Sequence, residues 1–185
     1  QTPEWLASAF LKNFERAGVE VEATRRSQAR YYYNLLSKYD TNSKAVESAV
    51  QWAINIASDD SHGYDQTHRD GPDYDCSSLI CWAYYQAGLN TRPGYTPATG
   101  TMSNVFLAAG FEDVTSSVNL TTGEGIQRGD VLLNTVHHTA MSIGNGQVVN
   151  ASQNEHGGAT GGATGDQTGK EIYVRNYYNY PWNYV

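Results

Sequence analysis

The sequence GPDYDCSSLICWAYYQAG at residues 71–88 decides the fold, because a polar turn gives way there to an apolar run with helical spacing. Asp75 is a residue type that caps helices, which predicts that the helix begins near Cys76. Gly88 is a typical residue for the end of such a helix. The stretch therefore predicts a helix that carries a cysteine at its first turn.

Helix signals precede this run, and strand signals follow it. Thr2, Pro3 and Glu4 predict a helix start, and the polar cluster at residues 40–43 predicts a linker or a helix cap. We expect helices over residues 3–17, 22–39, 46–57 and 101–109, and short strands over residues 130–136, 138–143, 147–152, 171–178 and 182–185. This order predicts an α+β fold in which an antiparallel sheet packs on the Cys76 helix. Residues 1–43 are then a helical extension of a domain at residues 44–185.

Composition narrows the class of partner. The chain has 185 residues, 39% of them hydrophobic and 17% charged, with a formal net charge of −7. We expect no nucleic-acid partner, because no Lys/Arg cluster alternates with aromatics, and no membrane span, because no apolar run approaches about 18 residues. The 14 tyrosines fit either a tyrosine-rich core or a cleft that binds sugars or peptides.

The two cysteines invite different interpretations. Cys76 lies between polar residues at a helix start, where backbone N–H groups and the helix dipole favour a thiolate. We therefore predict that Cys76 is a nucleophile whose pKa is lowered. Cys81 follows Ile80 in the middle of the helix and is read as a core residue. We expect no disulfide, because helical cysteines five residues apart are too distant to bridge.

The hairpin at residues 137–150 supplies the candidate base. A three-residue Gly-Asn-Gly turn places His138 and Asn150 on one face as diagonal neighbours, about 7–8 Å apart at Cα. A two-residue Asn-Gly turn sends them to opposite faces. We predict the three-residue turn, because it directs Met141 and Val149 to the core, with His138 as base and Asn150 as its orienting residue. The remaining histidines are predicted to have no special role: His62, His68, His137 and His156.

Three motifs in this order resemble a known family. They are YDCSS before an apolar helix, RGDVLL, and HTAMSIGNGQVVNAS. They are similar to the NlpC-type papain-like cell-wall cysteine peptidases, closest to the bacteriophage peptidoglycan hydrolase branch. The resemblance covers roughly residues 44–185 and implies a papain-like fold, action on bacterial peptidoglycan, and an extracellular or virion-associated location.

The resemblance also implies roles for single residues. Cys76 matches the nucleophile, His138 the base, and Asn150 a third polar position that is often histidine in the family. Tyr64 matches a tyrosine that helps to hold the oxyanion together with the backbone N–H of Cys76, although Gly63 stands where the family has proline. Asp75 and Ser77, which lie on either side of the nucleophile, match positions that contact the peptide substrate in some relatives.

Several readings of activity follow from this resemblance. One is hydrolysis of the D-γ-glutamyl–diamino-acid bond, which pairing of Asp75 with a free substrate amine favours; another is hydrolysis of the N-acetylmuramoyl–L-alanine bond. The tyrosines and the glycine-rich loop at residues 157–169 also fit a non-catalytic wall-binding module, and a thioester also fits an acyltransferase. We expect no metal or other cofactor. Residues 1–43 resemble the closing helices of a phage tail lysozyme-type domain, which suggests a piece of a larger phage tail or lysin protein.

Overall fold

The computed structural model describes residues 2–11 and 19–185 and divides the chain into two compact units, Gln1–Lys44 and Ala45–Val185. The first unit contains α1 (Pro3–Phe10) and the beginning of α2 (Val19–Ala57). The Thr2 side chain caps α1 by accepting a hydrogen bond from the N–H of Trp5 at 3.3 Å, which confirms the predicted helix start. The predicted continuation of this helix over residues 12–17 lies outside the described residues.

The predicted linker at residues 40–43 is wrong, because the backbone is helical throughout α2. The cluster contains polar residues of modest helix propensity but neither glycine nor proline, so nothing in it obliges the helix to end. None of the helices within the described residues combines the length and apolar character that a membrane span requires.

The second unit has the predicted α+β fold. After α2 come α3 (Cys76–Gln86) and α4 (Thr99–Ala108), close to their predicted positions. The strands are β1 (Val131–Asn134), β2 (His138–Gly144), β3 (Gln147–Ala151) and β4 (Ile172–Asn176). They form one sheet in the order β1-β2-β3-β4, and every neighbouring pair is antiparallel. The fifth predicted strand, residues 182–185, is wrong: Tyr184 makes only an isolated bridge to Leu133.

The two faces of the sheet have different neighbours. Met141, Val149 and Leu133 belong to the large apolar cluster that contains the buried face of α3. Their alternate neighbours pack instead with residues of the C-terminal segment, in a second apolar cluster made of Leu132, Ala140, Val148, Trp182 and Val185. Successive side chains of a strand point to opposite faces of the sheet, so the two faces of these strands are buried in different surroundings.

The turn between β2 and β3 differs from the prediction, but the register beyond it does not. Asn145 and Gly146 form a two-residue turn with positive φ at both positions, and Gly144 pairs with Gln147. An irregularity between Ser142 and Gly144 then shifts the pairing by one residue, so that Met141 lies opposite Val149. A bulge of this kind adds one residue to a strand. It returns the side chains beyond it to the faces that a two-residue turn alone would have exchanged.

Candidate active site

Cys76 is the first residue of α3, where a capping box fixes the start of the helix. The Asp75 carboxylate accepts a hydrogen bond from the N–H of Ser78 at 2.7 Å, and the Ser78 hydroxyl accepts one from the N–H of Asp75 at 2.9 Å. Cys76 is 5% exposed, but it belongs to neither apolar cluster of the described residues. The groups that act electrostatically on the buried thiol are polar or charged and include Asp75, Arg69 and the N–H of Ser77.

The charge state of this thiol differs from the prediction. Burial, followed by the negative charge of Asp75, raises the pKa of the Cys76 thiol to about 12. The backbone N–H groups of Thr139 and Ser77 favour the thiolate but are outweighed. The predicted lowering of the pKa by the helix start is wrong for this buried state, in which Cys76 is a neutral thiol at pH 7.

Helix α3 packs against β2, and the N–H of Thr139, the residue that follows His138, is one of the groups that favour the Cys76 thiolate. Consecutive Cα atoms are only about 3.8 Å apart. The start of α3 and the start of β2 therefore belong to the same region of the second unit.

His138 begins β2 and is half-buried. Its ring stacks on Trp182 with centroids 5.9 Å apart and meets the edge of Tyr180 at 5.6 Å. Burial, together with the positive charge of Arg175, lowers the pKa of His138 to about 4. The imidazole is therefore neutral at pH 7, as the Cys76 thiol is.

The other histidines lie apart from this arrangement. His137 is exposed. His62 contacts the carbonyl of Pro72 at 2.6 Å, and His68 and His156 each lie beside a loop carboxylate.

Asn150 lies on β3, next to the strand that begins with His138. Extending the observed register places Asn150 opposite Ala140, on the face that His138 shares. Asn150 is 1% exposed, and within the described part of the chain neither its amide nitrogen nor its oxygen has a hydrogen-bond partner. A buried unpaired polar group costs about 1–3 kcal/mol, which makes this side chain a poor choice for stability alone.

Tyr64 lies in the loop before α3 and is 5% exposed. Burial raises the pKa of its hydroxyl, and a negative charge on Cys76 raises it further, so the two groups lie within electrostatic reach. The hydroxyl accepts a hydrogen bond from the side chain of Gln66 at 3.1 Å. It stays protonated and retains its own proton to donate.

A buried carboxylate distant in sequence holds the Tyr64 backbone. Glu171 is 0% exposed, and its side chain accepts hydrogen bonds from the N–H of Tyr64 at 2.9 Å and of Gln167 at 3.2 Å. Burial raises the pKa of Glu171. The sequence analysis missed this residue, since no local pattern connects positions 64 and 171.

A second carboxylate ties the glycine-rich loop to the same region. Asp73 accepts hydrogen bonds from the N–H groups of Gly63 at 2.8 Å and Gly165 at 3.0 Å. A Cβ atom at Gly63 would lie 2.1 Å from the carbonyl oxygen of Gly165. The close approach of the two backbones explains why glycine stands at position 63 rather than the proline that the family resemblance implied.

Asp75 and Ser77, the two predicted substrate contacts, are both engaged by Arg69. Its guanidinium approaches the Asp75 carboxylate at 2.6 Å and donates to the Ser77 hydroxyl at 2.6 Å. Ser77 in turn donates to Asp75 at 2.9 Å. Arg69 was not singled out from the sequence, because a single arginine in a polar loop carries no motif.

The C-terminal segment adds an aromatic wall beside His138, formed by Tyr178, Tyr180 and Trp182. Burial raises the pKa of Tyr178, and a charge on Cys76 contributes to that rise. The guanidinium of Arg175 lies 4.0 Å above the Tyr178 ring. The sequence analysis read this region as strands, although five aromatics in the last ten residues were a signal for an aromatic surface.

Comparison with known proteins fits this architecture. The sequence model of the endolysin-like domain matches residues 70–149 and 148–185, which is more than half of the chain. The chain therefore belongs to the endolysin-like domain family, which confirms the resemblance drawn from its motifs and supports a wall-acting peptidoglycan hydrolase in general. No curated protein matches the sequence.

Two solved structures are similar to this chain. NlpC1 from Trichomonas vaginalis is 20% identical, with 74% of this chain and 41% of that chain covered and a TM-score of 0.44. NlpC2 from the same organism is 16% identical, with 75% and 44% covered and a TM-score of 0.43. The chain thus spans less than half the length of either protein.

Proposed function

We propose that this chain is a cysteine-dependent peptidoglycan hydrolase that cuts an amide bond of the wall stem peptide. The observation that carries the proposal is the position of Cys76, which is buried outside the apolar clusters, at a capped helix start, beside the strand that begins with His138. A cysteine nucleophile needs a base within reach, and His138 is the histidine that this position offers.

The first step forms a tetrahedral adduct on Cys76, which becomes a thioester when the amine leaves. Cys76 Sγ attacks the carbonyl carbon while a ring nitrogen of His138 takes the thiol proton. Because burial keeps the thiol and the imidazole neutral, the two charges develop only during this attack. The backbone N–H of Cys76 and the hydroxyl of Tyr64 stabilise the oxyanion.

The second step returns the enzyme to its starting state. The His138 imidazolium gives its proton to the leaving amine, and the C–N bond breaks. Water, with His138 as base, then attacks the thioester carbonyl, and the carboxylic acid and the free thiol are released. The proposed role of Asn150 is to hold the imidazole in the required tautomer, which needs a hydrogen bond to the ring from the buried amide that is unpaired within the described residues.

Analysis of the products identifies the bond that is cut. Digestion of purified peptidoglycan, followed by mass spectrometry of the fragments, distinguishes the two candidates. A product that keeps L-alanine on muramic acid and ends at D-glutamate supports the D-γ-glutamyl–diamino-acid endopeptidase. Peptides that begin with free L-alanine support the N-acetylmuramoyl–L-alanine amidase. Absence of both products would contradict the proposed function.

The partners proposed for this activity are those of a lysin. The substrate is bacterial peptidoglycan, reached outside the cell or from a virion. Residues 1–43 link the hydrolase to the rest of a larger phage tail or lysin protein. Binding of the chain to purified walls, measured by pull-down with the Cys76→Ala variant to prevent digestion, checks the first of these points.

A further inference from the structure

The carboxylate next to the proposed nucleophile is held by hydrogen bonds on one oxygen and by an ion pair on the other. Oδ1 of Asp75 accepts hydrogen bonds from the Ser78 N–H at 2.7 Å, the Ser77 hydroxyl at 2.9 Å and the Arg69 guanidinium at 3.1 Å. Oδ2 lies 2.6 Å from Nε of Arg69, and the Asp75 side chain is 8% exposed. Within the described residues Nε of Arg69 makes no hydrogen bond, so it acts on Oδ2 as a nearby charge, and a substrate amine that reached Oδ2 would meet a carboxylate whose charge is already compensated.

The guanidinium is engaged to a similar extent. Arg69 also donates to the Ser77 hydroxyl and to the carbonyls of Thr96 at 3.2 Å and Pro97 at 3.0 Å. Its side chain is 20% exposed. Arg69 therefore brings a compensating positive charge to the helix start and fixes it there.

This ion pair changes what the site can recognise. An isolated aspartate at this position would attract a protonated substrate amine, as the sequence analysis assumed. With Arg69 beside it, a substrate ammonium meets an ion pair without net charge, of which the arginine side chain is the more exposed partner, and the ammonium loses hydration without gaining an uncompensated anion. A neutral acylated amine has no such cost.

We propose that Arg69 is a specificity-determining residue that directs the site to stem peptides whose L-alanine amine is acylated, as it is when the peptide is still joined to muramic acid. The proposal rests on the proposed function and refines its substrate class. A site with this specificity acts on intact wall in preference to stem peptides that have already been released with a free amine.

The test compares a disaccharide-linked stem peptide with the same peptide bearing a free L-alanine amine, each assayed for kcat/KM by mass spectrometry of the products. For the parent chain we expect a kcat/KM at least about tenfold higher for the acylated substrate, a modest factor for one misplaced charge. Arg69→Gln removes the positive charge and should bring the ratio of the two kcat/KM values closer to one. Arg69→Lys keeps the positive charge and should leave this ratio as it is in the parent chain. Circular dichroism identifies any variant that fails to fold.

A pH series on the parent chain gives a second readout that needs no variant. The ordinary pKa of an α-amino group is about 7.7–8.0. If the site rejects the positive charge of this amino group, the ratio of kcat/KM for the acylated and the free-amine substrate should approach one between pH 7 and pH 9.5. Equal rates on both substrates at pH 7, or a preference for the free amine, would overturn the proposal. Absence of turnover on both, as in Cys76→Ala, would instead contradict the proposed function itself.

Discussion

Cys76 and Cys81 lie five residues apart on the same helix, and both are buried. Burial raises the pKa of each thiol to about 12. Their neighbours differ, since Cys81 is 0% exposed within the large apolar cluster and its carbonyl accepts a hydrogen bond from Thr91 at 2.7 Å. Cys76 instead begins the helix that Asp75 caps, and it interacts electrostatically with Tyr64 and with the N–H of Thr139 in β2. Neither burial nor pKa therefore separates a nucleophile from a core cysteine; the neighbouring groups do.

The largest difference between the two cysteines should appear on substitution. Cys76→Ala should lower kcat/KM on peptidoglycan at least about 1,000-fold, because no other group replaces the nucleophile. Cys81→Ala should leave kcat/KM within about threefold while lowering the free energy of unfolding by about 1 kcal/mol, through the small cavity that it creates. Amine release and urea unfolding measure the two effects. A Cys76→Ala chain that still releases amines at the parent rate would remove the distinction.

The partner of Cys76 gives the next largest effect. His138→Ala should lower kcat/KM by about 100- to 10,000-fold, the range expected for loss of a general base. His137→Ala is the matched control, because His137 is adjacent and exposed, and its rate should stay near that of the parent. Equal losses in both variants would show that the effect comes from disturbance of the hairpin.

Substitution of Asn150 should change the catalytic rate and the stability in different ways. Asn150→Leu removes two unpaired buried polar atoms, so the free energy of unfolding should stay equal or rise. The same change should lower kcat about 100-fold through misorientation of His138. Asn150→His restores a polar group of the type often found in the family and should recover part of the rate. A loss of stability in Asn150→Leu, with unchanged kcat, would assign the residue a structural role.

The last prediction concerns stability against acid rather than the reaction rate. The pKa of His138 is about 4 in the folded chain, below its ordinary 6.5, so the folded state binds this proton less readily than the unfolded state. The contribution of neutral His138 is therefore present above pH 6.5 and is lost as the pH falls towards 4, by about 3 kcal/mol. Urea unfolding from pH 7 to pH 4 should show a shallower decline in His138→Phe than in the parent. Parallel declines would contradict the burial of this ring.

The sequence predicted those parts of the site whose signals are local. The cap at Asp75 and the apolar spacing after it located α3, and alternation located four strands. The shared face of His138 and Asn150 was deduced correctly although the turn was wrong, because the bulge after Ser142 compensates for the shorter turn. Core alternation thus constrained the register more strongly than turn type did.

The parts that could not be predicted depend on long-range packing. The hydrogen bond from Tyr64 to Glu171 joins residues 107 positions apart, and the ion pair of Arg69 with Asp75 has no motif. The pKa of Cys76 was predicted in the wrong direction because the helix start is visible in the sequence, whereas burial is a property of the folded chain.

The most direct test of the central claim is to locate the acyl-enzyme. The parent chain is mixed with excess peptidoglycan fragments and quenched in acid during turnover, and the proteolytic peptide that contains both cysteines is fragmented in a mass spectrometer. The account predicts an added acyl mass on Cys76 and none on Cys81. An acyl group on Cys81, or turnover with no acyl group on either cysteine, would contradict it.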